Sequence, residues 1–391
     1  MRLLHTSDWH LGARVRGIDR TPDQLARLQE IFSFTKERNV DLLLVAGDVF
    51  DEYRPAHMDR VLAELAELIR PELDRGLRAV FVAGNHDKEH LFPLLNTVRQ
   101  LVGANTASQV AFCDQPSVTK IDSKSGEQVN LLLIPYPSQD RYGLQALTFQ
   151  DGADRRRQLA EAARVWIREM ADELKRSRSK LPTVVVAHLL IRGLGADGFE
   201  ISEADDIPLD AADLPNFTYV AMGHIHKAVQ VGARNIRYSG SIERMDFGEA
   251  GESKSVVLVE IGPKGLLGDP EVLPLHPTRL VRIEAEVGDD LEAKAKAAGD
   301  LENAIVGLTL RVEPGQSTFA MQLKARALFP RLCQPIELQM TQVAGNGESR
   351  PTYERKDVPG TVHSYLNEVL ENDPDREALL AMADQLLEAV S

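Results

Sequence analysis

The chain has 391 residues, more than one ordinary hydrophobic core serves, so two domains with an appendage are expected. A composition of 43% apolar and 27% charged residues is that of a globular protein, and no apolar run approaches the roughly 20 residues that span a bilayer, which argues against a membrane-embedded chain. The net charge of −14 counts against nucleic acid as a partner, because nucleic-acid binders are expected to be basic.

That charge is uneven. From residue 285 onward there are 18 acidic and 10 basic residues, so the last quarter holds more than half of the excess and the body keeps room for a local basic surface. The opening MRLLHTSDWH meets a His and an Asp too early for a secretory signal. Cys113 and Cys333 are the only cysteines, far apart, and read as reduced thiols of a cytoplasmic protein.

In chain order, RLLHT (2–6) reads as a strand running into the loop SDWHLG. PDQLARLQEIFSFTKERN sets Leu25, Leu28, Ile31 and Phe32 at helical spacing, with Pro22 early in the first turn and Asp23 at the positive helix start. DLLLVAGD is a continuous apolar run ending in Gly-Asp, the mark of a buried parallel strand. A helix (AHMDRVLAELAELIRPEL), a strand (RAVFVAG) and another helix (LFPLLNTVRQL) follow, and this alternation argues for an α/β layered fold. Short strands QVAFCD, SVTKID and NLLLIPYP precede the charged helix ADRRRQLAEAARVWIREMADELKRSR. The strands TVVVAHLL and FTYVAMG, then YSGSI and KSVVLVEI, close a first domain over 1–268.

Past GPKGLLGDP the character changes. RLVRIEAEV, DDLEAKAKAAGDL, AIVGLTLRVEP, TFAMQLKARALF and PIELQMTQV alternate strand and helix and form a small α+β unit over 275–343. The polar, turn-rich stretch over 344–360 is a linker, and 361–391 reads as two short amphipathic helices broken at Asp373-Pro374.

The apolar strands of the first domain end alike: in Asp8 and His10, in Asp48, in Asn85 and His86, in His188, and in His224 and His226. In open α/β sheets ligands bind outside the carboxyl ends of the strands. On extended backbone the spacing of Asp8-Trp9-His10 and of His224-Ile225-His226 puts both polar side chains of each pair on one face. Each residue taken singly has an ordinary reading as a turn, a cap or a hydrogen-bonded core histidine. Together they form a donor set of carboxylate, amide and imidazole without thiolate, which suits Mn²⁺, Fe²⁺ or Zn²⁺ better than Mg²⁺ or Ca²⁺. Seven donors from such a set are already too many for one ion and right for two if a carboxylate bridges, and two such ions form a clamp for phosphoryl displacement.

These motifs, D-x-H, G-D-x-x-D, G-N-H-D, an isolated His and G-H-x-H, resemble the five-part signature of calcineurin-like metallophosphoesterases. The resemblance implies an α/β/β/α layered β-sandwich and two divalent ions, Mn²⁺ first. It gives Asp8, His10, Asp48 and His226 to one ion, and Asp48, Asn85, His188 and His224 to the other. It makes His86 a catalytic residue facing the phosphate, with Asp51 and Asp87 in support. The serine/threonine phosphatases of the superfamily carry Arg-Gly after the second motif and Glu after Asn-His, whereas this chain reads DVFDEYRP and NHD. HTSDWHLG followed by ARVRGIDR is similar to the SbcD-type nuclease branch, and Arg14, Arg16 and Arg20 then stand where a polynucleotide backbone can be held.

That likeness implies an Mn²⁺-dependent exonuclease and endonuclease acting on double-stranded DNA ends and hairpins, with a capping domain over 275–343. It implies a homodimer through the apolar stripes Val61, Leu62, Leu65, Leu68 and Leu91, Leu94, Leu95, Val98. The tail helices, with Leu379, Leu380, Met382, Leu386 and Leu387 on one face, would dock on the partner ATPase SbcC in a cytoplasmic, nucleoid-associated complex. If that partner carries part of the duplex, the acidic balance is less of an objection. The alternative is a stand-alone metallophosphodiesterase or phosphatase acting on a small phosphoester or phosphoprotein.

Overall fold

The computed structural model describes residues 1–51, 55–101, 109–124, 126–177, 180–192, 206–214, 216–232, 235–313 and 316–340, with Arg376 and Leu380. The chain divides into a unit of Met1–Met340 and a unit of Thr341–Ser391. The linker and tail-helix readings lie, but for those two residues, outside the described residues.

The first unit begins with β1 (Arg2–Thr6), the hairpin β2 (Arg14–Val15) and β3 (Ile18–Asp19), then α1 (Thr21–Glu37), β4 (Leu42–Ala46), α2 (Pro55–Asp74), β5 (Arg78–Val82), α3 (Leu91–Leu101) and β6 (Val110–Cys113). β7 (Ser117–Asp122), β8 (Gln128–Ile134), α4 (Gly152–Arg176) and β9 (Thr183–His188) follow, then β10 (Leu190–Ile191), β11 (Pro208–Leu209), β12 (Tyr219–Gly223), β13 (Val229–Gln230) and β14 (Ile236–Tyr238). β15 (Ser255–Gly262), β16 (Gly265–Leu266) and β17 (Glu271–Pro274) return to the first sheet.

That sheet has the order β16-β15-β1-β4-β5-β6, with β17 on β15. β1, β4, β5 and β6 run parallel, and β15 is antiparallel to β1. The second sheet has the order β13-β14-β12-β9-β8-β7, parallel from β8 through β9 and β12 to β14. Burial on both faces explains the unbroken apolar strands. On β4, Leu43 and Val45 meet the helical layer of α1 to α3, while Leu42, Leu44 and Ala46 meet Val184, Val186 and Ala221 of the opposite sheet. Leu159, Ala163 and Ile167 of α4 cover the outer face of the second sheet. The result is the expected α/β/β/α sandwich. β17 pairs with β15 and carries the first sheet on to Pro274, past residue 268.

The remaining elements of this unit, called the cap for its expected place, are β18 (Leu280–Glu286), α5 (Leu291–Ala298), β19 (Ile305–Val312), α6 (Phe319–Leu328) and β20 (Glu337–Met340). Its three strands are parallel in the order β18-β19-β20, each pair joined across a helix, and Ile283, Val306, Leu308, Leu310, Met321 and Ala325 form its core. No helix among the described residues is long and apolar enough to cross a membrane. Cys113 and Cys333 are both free and buried.

Two sequence expectations change. The stripes on α2 and α3 mostly pack on their own sheet: Val61, Leu65 and Leu91 are buried, Leu62, Leu68 and Leu95 lie against the same core, and only Leu94 and Val98 stay half exposed. Arg20, expected at DNA, has no solvent exposure. Its guanidinium donates to Asp23 at 2.7 Å, to Glu243 at 2.9 Å and to the Arg244 carbonyl at 2.6 Å. The same Asp23 carboxylate takes both guanidinium nitrogens of Arg331 from the cap, at 2.6 and 2.9 Å. Arg20 is therefore a strut beneath the junction of body and cap. Breaking a buried pair by removing one partner leaves the other charge uncompensated. Arg20→Ala is expected to lose roughly 3–5 kcal/mol in urea denaturation; a variant as stable as the parent would contradict this role.

Candidate metal centre

The five parallel strands β1, β4, β5, β9 and β12 all point their carboxyl ends to one crevice between the two sheets. Cross-sheet hydrogen bonds fix the edges there. The His224 backbone N–H donates to both Asp8 oxygens, at 3.0 and 3.2 Å, and His188 Nδ1 lies 2.8 Å from the Ala46 carbonyl. Of the six non-glycine residues with left-handed φ among the described residues, four belong to the expected donor set: Asp8 (+51°), His10 (+46°), Asp48 (+49°) and His224 (+99°). Such conformations cost on the order of 1–3 kcal/mol each and persist where surrounding structure over-determines them.

Two glycines show how close the approach is. A Cβ at Gly84 would stand 2.0 Å from Asp48 Oδ1, and one at Gly47, already at φ +93°, would stand 2.0 Å from His188 Nδ1. Glycine is required in G-D and G-N because the chains carrying the donors pass within van der Waals contact of one another.

The four histidines share one arrangement. One ring nitrogen of each meets an oxygen at the rim: His10 Nδ1 meets Asp51 at 3.1 Å, His226 Nδ1 meets Glu249 at 2.8 Å, His188 Nδ1 meets the Ala46 carbonyl, and His224 Nε2 meets Asp206. A carbonyl or carboxylate can only accept, so the ring proton belongs on that outer nitrogen. The inner nitrogens are then the ones free to bind a metal once any second proton has left, and they point at one another. His10 Nε2 and His226 Nε2 are 3.1 Å apart, and His188 Nε2 and His224 Nδ1 are 3.3 Å apart. Asn85 Oδ1 lies 3.0 Å from each ring of the second pair. The carboxylates of Asp8 and Asp48 join them, so that ligand atoms of Asp8, His10 and His226, of Asp8, Asp48 and His188, and of His10, Asp48 and His86 cluster within 4.8 Å. Ring nitrogens turned towards one another with acceptors behind the rings are the second-layer pattern of metal-binding histidines. The residues fit divalent metal ions.

Charge shapes the centre. Burial works against ionisation of Asp48, but the imidazoles of His188, His10 and His86 hold its carboxyl far below the usual carboxylate range. Burial alone would lower His188, yet the Asp48 carboxylate 3.3 Å from Nε2 raises it to about 9. Asp51 is held well below the ordinary value, against its own burial, by His10 and His86.

His86 stands apart. Its side chain is 43% exposed, its Nδ1 lies 3.2 Å from Asp51, and its ring meets the edge of His10 at 4.8 Å. The bond to Asp51 raises its pKa above the ordinary histidine value. Asp87 faces away: its carboxylate accepts from the backbone N–H groups of Gly84, Val49 and Phe50 and ties the loop to β4.

Of the expected backbone-holding arginines, Arg14 is exposed and donates to the Gly17 carbonyl at 2.7 Å, whereas Arg16 is ion-paired with Glu337 of the cap. Residues that sequence reading missed stand behind the donors. Glu249 is held ionised, at about 2, with burial opposing and His226 and Lys254 favouring the charge. Asp206 holds His224 and also receives the Tyr136 hydroxyl at 3.1 Å. Arg141, 5% exposed, donates to the carbonyls of Gly84 and Asp87 and braces the loop that carries Asn85 and His86.

Comparison with known proteins places this geometry. The family model for calcineurin-like phosphoesterases matches residues 1–228. SbcD of the nuclease SbcCD from Bacillus subtilis is 30% identical over 327 residues, covering 80% of this chain and 79% of that protein. The protein of the same name from Escherichia coli K12 is 30% identical over 351 residues, covering 88% and 85%. Its namesake from Rhodobacter capsulatus is 28% identical, covering 73% and 72%.

Gly84→Ala is expected to weaken divalent-metal binding roughly tenfold or more in a calorimetric titration, because its Cβ displaces Asp48; unchanged binding would contradict the close approach. In the metal-free protein the pair of His188 with Asp48 stabilises fully below the ordinary histidine value of 6.5 and is lost as pH rises through about 9. Metal uptake at neutral pH must therefore expel that proton, and affinity should climb with pH towards about 9. Titrations in buffers of different ionisation heat read the proton release, and its absence would count against His188 as a ligand.

Proposed function

The chain belongs to the calcineurin-like phosphoesterase family and, within it, to the SbcD group, and from that premise we propose that it is the nuclease component of a DNA-processing complex, hydrolysing phosphodiester bonds with two divalent ions, Mn²⁺ first. The observation that carries this reading is the convergence of four imidazoles, each with its outer nitrogen taken, on the oxygens of Asp8, Asp48 and Asn85.

Asp8, His10, Asp48 and His226 would hold one ion, and Asp48, Asn85, His188 and His224 the other, with Asp48 shared. Bound there, the ions supply Lewis acidity and a lowered pKa for the attacking water. His86 is exposed on the rim of the centre with an outward-pointing carboxylate partner, and its raised pKa keeps more of it protonated at neutral pH. In that state it stabilises charge on the phosphate and can give its proton to the leaving oxygen. Asp51 orients both His10 and His86, and Asp87 fixes the loop that carries His86.

Double-stranded DNA ends and hairpins are the proposed substrates, and SbcC is the proposed partner, bound through residues 361–391. The acidic balance of −14 and the burial of Arg20 support an ATPase partner that carries part of the duplex. The half-exposed Leu94 and Val98 on α3 support a homodimer contact smaller than the full stripes. Work at the nucleoid, in the cytoplasm, belongs to the same proposal.

His86→Ala is expected to keep both Mn²⁺ ions in calorimetry and to lose roughly 10²–10⁴-fold of cleavage of a linear duplex. Loss of an ion in that variant would make His86 a ligand instead. Robust turnover of a chromogenic phosphate diester by the parent, with no DNA cleavage even with the partner ATPase and ATP, would favour a stand-alone phosphodiesterase.

A further inference from the structure

We propose that the single turn Phe247–Glu249 is a strap through which the cap positions His226, making Phe247 and Glu249 positioning residues for one half of the metal centre; the inference rests on the two-metal reading. The two side chains of this turn do different things. Glu249 Oε1 accepts from His226 Nδ1 at 2.8 Å, and the carboxylate is itself held by the Met245 N–H at 3.1 Å and by Lys254 Nζ at 2.6 Å. Lys254 is only 1% exposed and also donates to the His226 carbonyl at 2.9 Å, so the His226 backbone and ring are fixed by one buried cluster.

Phe247 points to the cap. It is buried with Leu280, Ile305 and Cys333, all cap residues or at the cap junction. The backbone of β19 lies against its ring, where a Cβ at Gly307 would stand 2.9 Å from Cζ. Guanidinium groups flank the ring at 5.5 Å from its centroid, Arg282 from the cap and Arg16 from the hairpin that follows His10. The Gln334 N–H of the cap donates to the Arg16 carbonyl at 2.9 Å, which ties that hairpin to the cap as well. The hairpin that follows His10 is thus tied to the cap, while the His10 ring itself is held by Asp51. His188 and His224 are anchored elsewhere, on Ala46 and Asp206. Of the four rings, His226 is the one whose anchoring carboxylate sits on a turn packed against the cap.

The test is Mn²⁺ calorimetry with Mn²⁺ EPR on the full chain carrying Phe247→Ala, Glu249→Ala or Glu249→Gln. Loss of a residue behind a ligand costs on the order of 10–100-fold in metal affinity. Phe247→Ala and Glu249→Ala are expected to weaken one of the two ions tenfold or more and leave the other within about twofold. Glu249→Gln, which keeps an acceptor for His226, should recover most of the loss. If Phe247→Ala does not fold, Phe247→Leu fills the apolar cluster without a ring for the guanidinium groups. Equal weakening of both ions, or no change in either, in a folded variant would overturn the strap. A parent protein that binds fewer than two ions would instead overturn the two-metal reading.

Discussion

The structure depends on one constraint: donor atoms from five strands in two sheets must meet at a single crevice. Neither sheet holds the set alone. Asp8, His10, Asp48 and Asn85 come from the first sheet, and His188, His224 and His226 from the second. The apolar layer between the sheets, from Leu42 and Leu44 to Val184, Val186 and Ala221, fixes their distance and so fixes where the strand ends fall. Left-handed backbone at four donor positions is the local consequence, and it survives because bonds such as His224 N–H to Asp8 hold the edges from both sides.

Convergence creates a second requirement. Buried carboxylates and imidazoles must carry the right protons before any ion arrives. The oxygens behind each histidine fix the outer N–H, so the inner nitrogens are the ones left to bind, and His188 must first shed the inner proton that Asp48 favours. The same network separates roles among neighbours. His10 and His86 both reach Asp51, yet only His10 also faces another ring nitrogen across the crevice, while His86 stays open to solvent. The two imidazoles differ here by direction, not by residue type, which is what the proposed division of roles rests on.

Much of this was legible in the sequence, for a physical reason. Parallel strands buried on both faces give unbroken apolar runs, and polar residues placed where such runs stop stand at the sheet edge. DLLLVAGD, TVVVAH and YVAMGHIH each carry that signal, and a layered α/β fold follows from them; the sandwich came with the family resemblance. What was not legible depended on partners distant in sequence. Arg20 reads as a basic loop residue, and nothing nearby announces that Glu243 and Asp23 enclose it. Glu249 and Asp206 sit in turn-rich stretches without spacing relative to any histidine, so only the folded chain shows what they hold. The stripes on α2 and α3 carry helical periodicity whether they face a core or a second copy, and the structure turns most of them inward.

The cap adds a dependence between parts that sequence reading treats as separate domains. Its contacts with Asp23, Arg16 and Phe247 reach the body beside the first two donors and beside His226. A surface expected to seat substrate is thereby tied to the chemistry beneath it. The most direct test of the account is the location of manganese by anomalous scattering in crystals grown with Mn²⁺. The account predicts two peaks about 4 Å apart, with Asp48 between them, one beside His10 and His226 and the other beside Asn85, His188 and His224. A single peak, or peaks away from these side chains, would contradict it.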